Sequence, residues 1–269
     1  MLALAIPIGL LIGLSLGALG GGGSILTVPA LVYLLGQDTR TATTGSLIIV
    51  GVTALTGMTA HHRAGRVRVA SGVTFGVLGI GGTYAGSRLS SNVRPDVLLA
   101  AFSILMLVVA AAMLARSRRH GRVIGDVTPD EGPFFRLRPS LGCECLRAAK
   151  VVLTATAVGL LTGFFGVGGG FVVVPALVLV LGFSMPVAVG TSLLVISINS
   201  ASALVVRLGH GVELDWVLIS SFTAAAMIGS MLGGRVASRV PPRILARSFA
   251  LLLVAVALYT AARSIPQLV

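Results

Sequence analysis

Long stretches without charged residues alternate with short polar segments along this chain. Six runs contain no Asp, Glu, Lys or Arg: Met1–Gln37, Thr41–Ala60, Val69–Ser87, Val97–Ala115, Val151–Val206 and Trp216–Gly234. A helix needs about 20 apolar residues to cross the hydrocarbon core of a bilayer. As a single helix, the run from Val151 would be roughly 84 Å long at 1.5 Å per residue, so it has to fold back inside the membrane. The pattern predicts an all-α polytopic membrane protein.

Composition excludes two classes of protein. Of the 269 residues, 55% are hydrophobic and only 10% are charged, with a mean hydropathy of +1.01. A soluble domain carries about 25% charged residues, so a soluble enzyme is excluded. The net charge of +12 lies in short loops between apolar runs, which is typical of membrane orientation rather than of a nucleic-acid-binding surface. The expected surroundings are therefore a lipid bilayer, with no nucleic-acid partner.

The chain contains an internal repeat. Gly13–Leu47 aligns with Gly159–Leu193 at a constant offset of 146, and 16 of those 35 positions are identical. The match resumes further on, at an offset of 147, in the pairs Gly82/Gly229 and Gly86/Gly233. The repeat predicts a first transmembrane half at residues 1–115, a basic linker at 116–150 and a second half at 151–269. Because Leu153–Phe165 is the mid-chain counterpart of the N-terminal apolar segment, we interpret that segment as mature structure rather than a signal peptide.

Each half holds five apolar segments, and the second of each set is short. The predicted segments are 2–19, 25–36, 42–60, 69–87 and 97–115, then 151–165, 171–183, 187–206, 216–234 and 244–262. The first two segments of a half form either a re-entrant hairpin or two full crossings. Both alternatives give each half an odd number of net crossings, so the second half is expected to be inverted.

Charge supports this inversion. With inverted halves, one face carries 15 of the 20 basic residues, the linker included, and the other face carries five. Since cytoplasmic loops collect Arg and Lys, we expect a cytoplasmic linker and termini outside the cytoplasm. Inverted repeats are typical of secondary transporters, whose substrate binds near the bilayer midplane where the repeats meet.

Two glycine clusters are the main candidates for a binding site. Gly20–Gly23 and Gly166–Gly170 are poor helix formers, and helices are expected to restart at Ser24 and Phe171. The unpaired N–H groups at a helix start attract anions, and the two halves could direct two such starts at one centre. The alternative is that these glycines only allow close helix packing. Pro29 and Pro175, at equivalent positions after the clusters, are expected to break or kink the short helices.

Hydroxyl and amide side chains complete the candidate anion site. The third segments open with Thr43-Thr44-Gly45-Ser46 and Val189-Gly190-Thr191-Ser192, and hydroxyls donate to oxyanions without burying a charge. The alternative is that Ser and Thr bond back to their own helices. Asn199 adds polarity deeper in the same segment. The predicted substrate-binding residues are Gly20, Gly22, Gly23, Ser24, Thr44, Ser46, Gly166, Gly168, Gly169, Gly170, Thr191, Ser192 and Asn199.

Titratable residues offer little for catalysis. His61, His62 and His210 are expected at loop edges, as solvated side chains, and no Asp or Glu lies in mid-span. Cys143 and Cys145 lack the further ligands of a typical metal site. The sequence therefore predicts no catalytic residue, no metal and no cofactor.

The two glycine clusters, each followed by an apolar stretch and Pro-Ala-Leu, resemble the TauE/SafE family of sulfite exporter-like permeases. Gly190-Thr191-Ser192-Leu193, Gly65 and Gly211 support the resemblance, which covers nearly the whole chain except the linker. The resemblance implies transport of a small sulfur-containing or organic anion, such as sulfite or a sulfonate, across a prokaryotic cytoplasmic membrane. It implies a site at Gly22, Gly23, Gly168, Gly169, Gly170, Thr191 and Ser192. The first half departs from the pattern, with Ser24 in place of the last glycine and Thr44-Gly45-Ser46 in place of Gly-Thr-Ser.

The resulting hypothesis is a secondary transporter, an exporter, of sulfite or an organosulfonate that works by alternating access of inverted repeats. A passive anion channel and a membrane scaffold or assembly protein without transport are the alternatives. The sequence does not determine the oligomeric state, and a homo-oligomer is one of the alternatives that stay open.

Overall fold

The chain folds into helices. The structure, a computed structural model, describes residues 2–90, 95–119, 144–165, 170–207 and 214–264, and these contain ten α-helices and no strand. The helices are α1 (Leu2–Leu19), α2 (Gly22–Pro29), α3 (Thr39–Arg63), α4 (Val69–Ser90), α5 (Pro95–Arg119), α6 (Glu144–Phe165), α7 (Gly170–Leu179), α8 (Met185–Arg207), α9 (Trp216–Arg239) and α10 (Pro242–Ser264). This confirms the predicted all-α class, with five helices in each half.

Several helices are longer than the apolar runs that predicted them. Helix α5 continues to Arg119 and helix α6 begins at Glu144, so both enter the predicted linker, and Cys145 lies within a helix. By length and hydropathy, four of the described helices qualify as membrane spans: α3, α8, α9 and α10. Large apolar side chains such as Leu11, Ile104 and Leu153 point outward and are more than half exposed, as expected for a surface that faces lipid.

The short helices follow the glycine clusters, as predicted. Helix α2 has 8 residues and continues as a π-helical turn at Ala30–Leu34, and helix α7 has 10 residues. At 1.5 Å per residue, α7 is about 15 Å long, half of what a crossing needs. Helix α2 folds back on α1, because Gly23 packs directly against Ile12 and Leu16.

The two prolines differ in effect. Pro29 ends α2, at the change from α-helix to π-helix. Pro175 lies inside α7, and the helix does not end there but continues to Leu179. A proline at this place leaves the Phe171 carbonyl without its helical hydrogen bond.

The two halves are inverted. Helices α3 and α8 are repeat counterparts, and they pack antiparallel: Gly51 lies against Ser200, and Gly57 lies against Leu193. Two halves with the same orientation would make these counterparts parallel. The antiparallel pair therefore relates the halves by an axis in the membrane plane, the arrangement of many secondary transporters.

The halves also interlock. The first helix of each half packs along the fourth helix of the other, so α1 lies on α9 and α6 lies on α4. Glycines four residues apart bring these backbones together, with Gly13 against Ala226 and Gly17 against Ser230 in one pair, and Gly159 against Gly79 in the other. Such small residues are what membrane helices use for close contact.

The helices fall into two groups that the repeat relates. We name α1, α2, α3 and α9 bundle A and their repeat counterparts α6, α7, α8 and α4 bundle B; α5 and α10 pair with each other, and the two bundles are joined by extensive packing of α3 on α8. The bundles meet along α3 and α8, where the apolar side chains of Leu16, Val50, Ala54, Leu193 and Ile196 form a small core. This boundary positions the candidate site.

Candidate functional site

The two glycine clusters touch at the boundary between the bundles. Gly21, just before α2, packs backbone to backbone against Gly170 at the start of α7, and a methyl group on Gly21 would overlap the Gly170 carbonyl group. Gly170 also packs against the side chain of Ile196. Ile196 lies 11 residues after Met185 and 11 before Arg207, so the clusters meet level with the midpoint of α8.

Gly20 joins the first cluster to α8. Its φ of +74° is a left-handed conformation, which glycine adopts at little cost. A methyl group here would also lie 2.5 Å from the Ser192 hydroxyl oxygen and 3.3 Å from the Val189 Cα. The structure thus brings together Gly20, Ser24, Gly170 and Ser192 of the predicted site residues.

The remaining first-cluster glycines have packing contacts as well. Gly22 packs against Leu252 of α10, and Gly23 packs against α1. The N–H groups of Gly22, Gly23 and Ser24 come too early in α2 to bond within the helix, and no acceptor for them lies among the described residues. The N–H groups at a helix start are satisfied by side chains, water, 3₁₀-type bonds or ligands, and an anion is one ligand that could accept from them.

The hydroxyl groups of the site bond back to their own segments. Ser24 donates to the Gly21 carbonyl (2.7 Å), Ser192 to the Val189 carbonyl (2.8 Å), and Ser46 to the Thr43 carbonyl (2.8 Å). All three side chains are buried. Each hydroxyl would therefore have to rotate away from its carbonyl before it could donate to an anion.

Three of the predicted site residues belong to the start of the second cluster. Gly166, Gly168 and Gly169 lie outside the described residues, as does His210. Thr44 is buried near the start of α3, two residues before Ser46.

Two predicted residues face other neighbours. Thr191 is fully buried, and its hydroxyl oxygen accepts a hydrogen bond (3.2 Å) from the backbone N–H of Arg68 in the α3–α4 connection. Asn199 is also buried, and its Oδ1 atom has no partner among the described residues. Asn199 lies seven residues from Ser192, about 10 Å along α8, and packs against Gly79 of α4.

Sequence reasoning missed His61. The expectation of a solvated loop side chain is wrong, because His61 lies within α3 and is 1% exposed. Its neighbour His62 is exposed. Three glycines on three helices make room for the His61 side chain: Gly17 of α1 and Gly234 of α9 lie beside the ring, and Gly190 of α8 lies beside the Cβ atom.

Comparisons with known proteins agree with one another. The protein family described as "Sulfite exporter TauE/SafE" matches residues 5–260. A "Probable membrane transporter protein" of Xylella fastidiosa (strain Temecula1 / ATCC 700964) is 32% identical over all of this chain and 98% of its own length. The "Probable membrane transporter protein YunE" of Bacillus subtilis (strain 168) is 27% identical over 86% of each chain. No solved structure matches this chain.

Proposed function

The chain belongs to the sulfite exporter TauE/SafE family, whose members are membrane transporters, and we propose that it carries a small anion, sulfite or an organosulfonate. The observation that carries the proposal is the meeting of the two glycine clusters at the middle of the bundle, between inverted halves. The anion would bind where α2 and α7 begin. No catalytic step is part of the proposal.

Backbone N–H groups supply the binding chemistry. The N–H groups of Gly22, Gly23 and Ser24, for which no acceptor lies among the described residues, are at the positive end of the α2 dipole, which attracts anions. In the low dielectric of a membrane protein, an unpaired donor is costly, so an oxyanion that accepts from these groups is favoured. The hydroxyls of Ser24 and Ser192 add donors once they rotate away from their own carbonyls.

The two bundles supply the movement. In this structure Gly21 and Gly170 are in backbone contact, so an anion fits between them only when bundles A and B move apart. Along α3 and α8 the contact is formed by apolar and small groups, with one long hydrogen bond from Ser197 to the Gly51 carbonyl (3.4 Å). Rocking the bundles about this boundary would open the site first to one side and then to the other, which is alternating access.

The proposed orientation rests on charge. Helices α3 and α9 run parallel, with Gly57 against Ser230 and His61 beside Gly234, and they end at Arg63 and Arg239. Their basic ends therefore lie on one side, which we propose is the cytoplasmic side of the cell membrane. The linker would lie on that side and both termini on the other.

Reconstitution tests the function. Proteoliposomes that contain the protein should exchange radiolabelled sulfite or methanesulfonate against a trapped excess of the same unlabelled anion. Counterflow of this kind, with label accumulating above its equilibrium level, separates a carrier from a passive channel. A protein that shows neither flux nor thermal stabilisation by these anions would instead be a scaffold.

A matched pair of glycine variants tests the site. Gly21→Ala places a methyl group on the Gly170 carbonyl, whereas a methyl group on Gly81 would have no neighbour within 4 Å. We expect Gly21→Ala to slow counterflow at least tenfold and Gly81→Ala to leave it unchanged. If folded Gly21→Ala protein transports as fast as the Gly81→Ala control, the anion does not bind between the clusters.

A further inference from the structure

The buried imidazole of His61 lies close to the proposed anion site. The imidazole donates to the carbonyl of Gly17, three residues before Gly20 of the first cluster. The Cβ atom of His61 packs against Gly190, which is two residues before Ser192, and Ser192 packs against Gly20. His61 belongs to bundle A, and Gly190 belongs to bundle B. The Cβ atom of His61 is therefore at the boundary that has to open during transport, while its ring lies beside Gly17 and Gly234 within bundle A.

The hydrogen bonds of His61 fix which nitrogen carries hydrogen. The Nε2 atom lies 2.8 Å from the Gly17 carbonyl oxygen, and a carbonyl only accepts, so Nε2 donates. In the neutral ring, the Nδ1 atom then holds a lone pair and no hydrogen. Nδ1 is buried with no partner among the described residues. This free position is where a proton can bind.

The charged groups around His61 are basic. Helix α1 contains no titratable residue and α8 contains only Arg207, 17 residues from Gly190. The element that carries His61 and the elements that pack against it, namely α3, α9 and the α3–α4 connection, hold the following basic groups: His62, Arg63, Arg66, Arg68, Arg235 and Arg239. The backbone N–H of Arg66 donates to the His61 carbonyl, and one guanidinium nitrogen of Arg66, Nη1, is buried without a partner among the described residues.

No carboxylate that the structure describes lies near His61. The acidic side chains that it describes are Asp38, before α3, and Asp215, which caps the start of α9. Asp38 lies 23 residues from His61, about 34 Å along α3. Asp215 lies 19 residues before Gly234, the neighbour of His61, about 28 Å along α9. A buried positive charge needs a counter-charge, and the transported anion is the one that the proposed function supplies.

We propose that His61 binds the coupling proton: its Nδ1 takes up one proton from water as the anion enters the central site. The proton adds to the Nδ1 lone pair while Nε2 keeps its hydrogen bond to Gly17, and it returns to water when the anion leaves. Anion and proton are then bound together and move together. This inference rests on the proposed anion transport and adds its coupling ion.

Coupling of one proton to one anion makes anion affinity depend on pH. Because the proton and the anion each strengthen the binding of the other, the affinity for the anion depends on how much of the free protein has a protonated His61. Once the pH is high enough that His61 is mostly unprotonated in the free protein, anion binding weakens about tenfold for each further unit of pH. Methanesulfonate is the suitable probe because the sulfonate group stays ionised throughout the neutral range. We expect this slope in the wild type and in His62→Gln, the exposed neighbour, and no slope in His61→Gln, whose amide can still donate to Gly17.

Nuclear magnetic resonance observes the proton directly and needs no His61 variant. Replacing the other three histidines, His62, His120 and His210, with Gln leaves His61 as the single imidazole. The ¹⁵N shift of Nδ1 in this protein should change to that of a protonated nitrogen when methanesulfonate or sulfite is added. If either anion binds and Nδ1 stays unprotonated, the coupling is wrong while the anion function stands. If neither anion binds or is transported, the proposed function is wrong, and the coupling fails with it.

Discussion

Adjacent glycines on α4 give the sharpest test of how the halves interlock. Gly82 faces α6, and a methyl group there would overlap the Thr156 carbonyl and approach the Leu160 backbone, whereas Gly81 has open space. Backbone atoms cannot rotate aside, so Gly82→Ala has to push α4 and α6 apart by about 1 Å. If about 40 atom pairs, each worth about 0.15 kcal/mol, lose a third of their attraction, the cost is about 2 kcal/mol. Because alanine favours the helical conformation more than glycine does, the substitution also stabilises α4 by up to about 1 kcal/mol.

We therefore expect Gly82→Ala to lower the free energy of unfolding by about 1–2 kcal/mol, and Gly81→Ala to leave it unchanged or raise it by up to about 1 kcal/mol. Gly229 is the repeat counterpart of Gly82 and packs on the Leu10 carbonyl of α1, so Gly229→Ala should cost a similar amount. The assay is unfolding in mixed micelles by increasing sodium dodecyl sulfate, followed by circular dichroism. Equal stability of the Gly81→Ala and Gly82→Ala proteins would refute the α4–α6 contact.

Three further predictions concern the site and the orientation. Thr191→Val removes the hydroxyl that accepts from the Arg68 N–H group. The Arg68 amide should then exchange its hydrogen about fivefold faster, which corresponds to about 1 kcal/mol. An unchanged exchange rate would show that this hydrogen bond does not protect the amide. Ser192→Ala should weaken methanesulfonate binding about tenfold in equilibrium dialysis, while Ser197→Ala, whose hydroxyl also bonds to its own helix, should not; equal affinities would remove Ser192 from the site. Cys143 and Cys145, the two cysteines of the chain, should react with an impermeant maleimide only from the cytoplasmic side, and labelling of intact cells would reverse the proposed orientation.

Helix positions were predictable because the bilayer imposes a simple rule. Runs without charge had to become helices, and every predicted segment corresponds to a helix. Boundaries were less accurate, as in α5 and α6, because a helix continues into the polar region once it has formed. The inverted orientation of the two halves was predictable from the distribution of charge between the loops, and the antiparallel packing of α3 and α8 agrees with it.

Helix partners were not predictable from the sequence. The four-residue spacing of Gly9, Gly13 and Gly17 indicates a close helix contact, but it does not say that the contact is with α9. His61 was misjudged for a related reason. It stands beside His62 and Arg63, which is typical of a solvated helix end, and only the convergence of Gly17, Gly190 and Gly234 from three other helices buries it.

Anomalous diffraction from crystals soaked in selenite, the heavier analogue of sulfite, is the most direct test of where the anion binds. The account predicts one strong selenium peak between the starts of α2 and α7, within hydrogen-bonding distance of the N–H groups of Gly22, Gly23 and Ser24. A selenium peak elsewhere, in crystals of a sulfite-transporting protein whose clusters have moved apart and hold no anion, would contradict it.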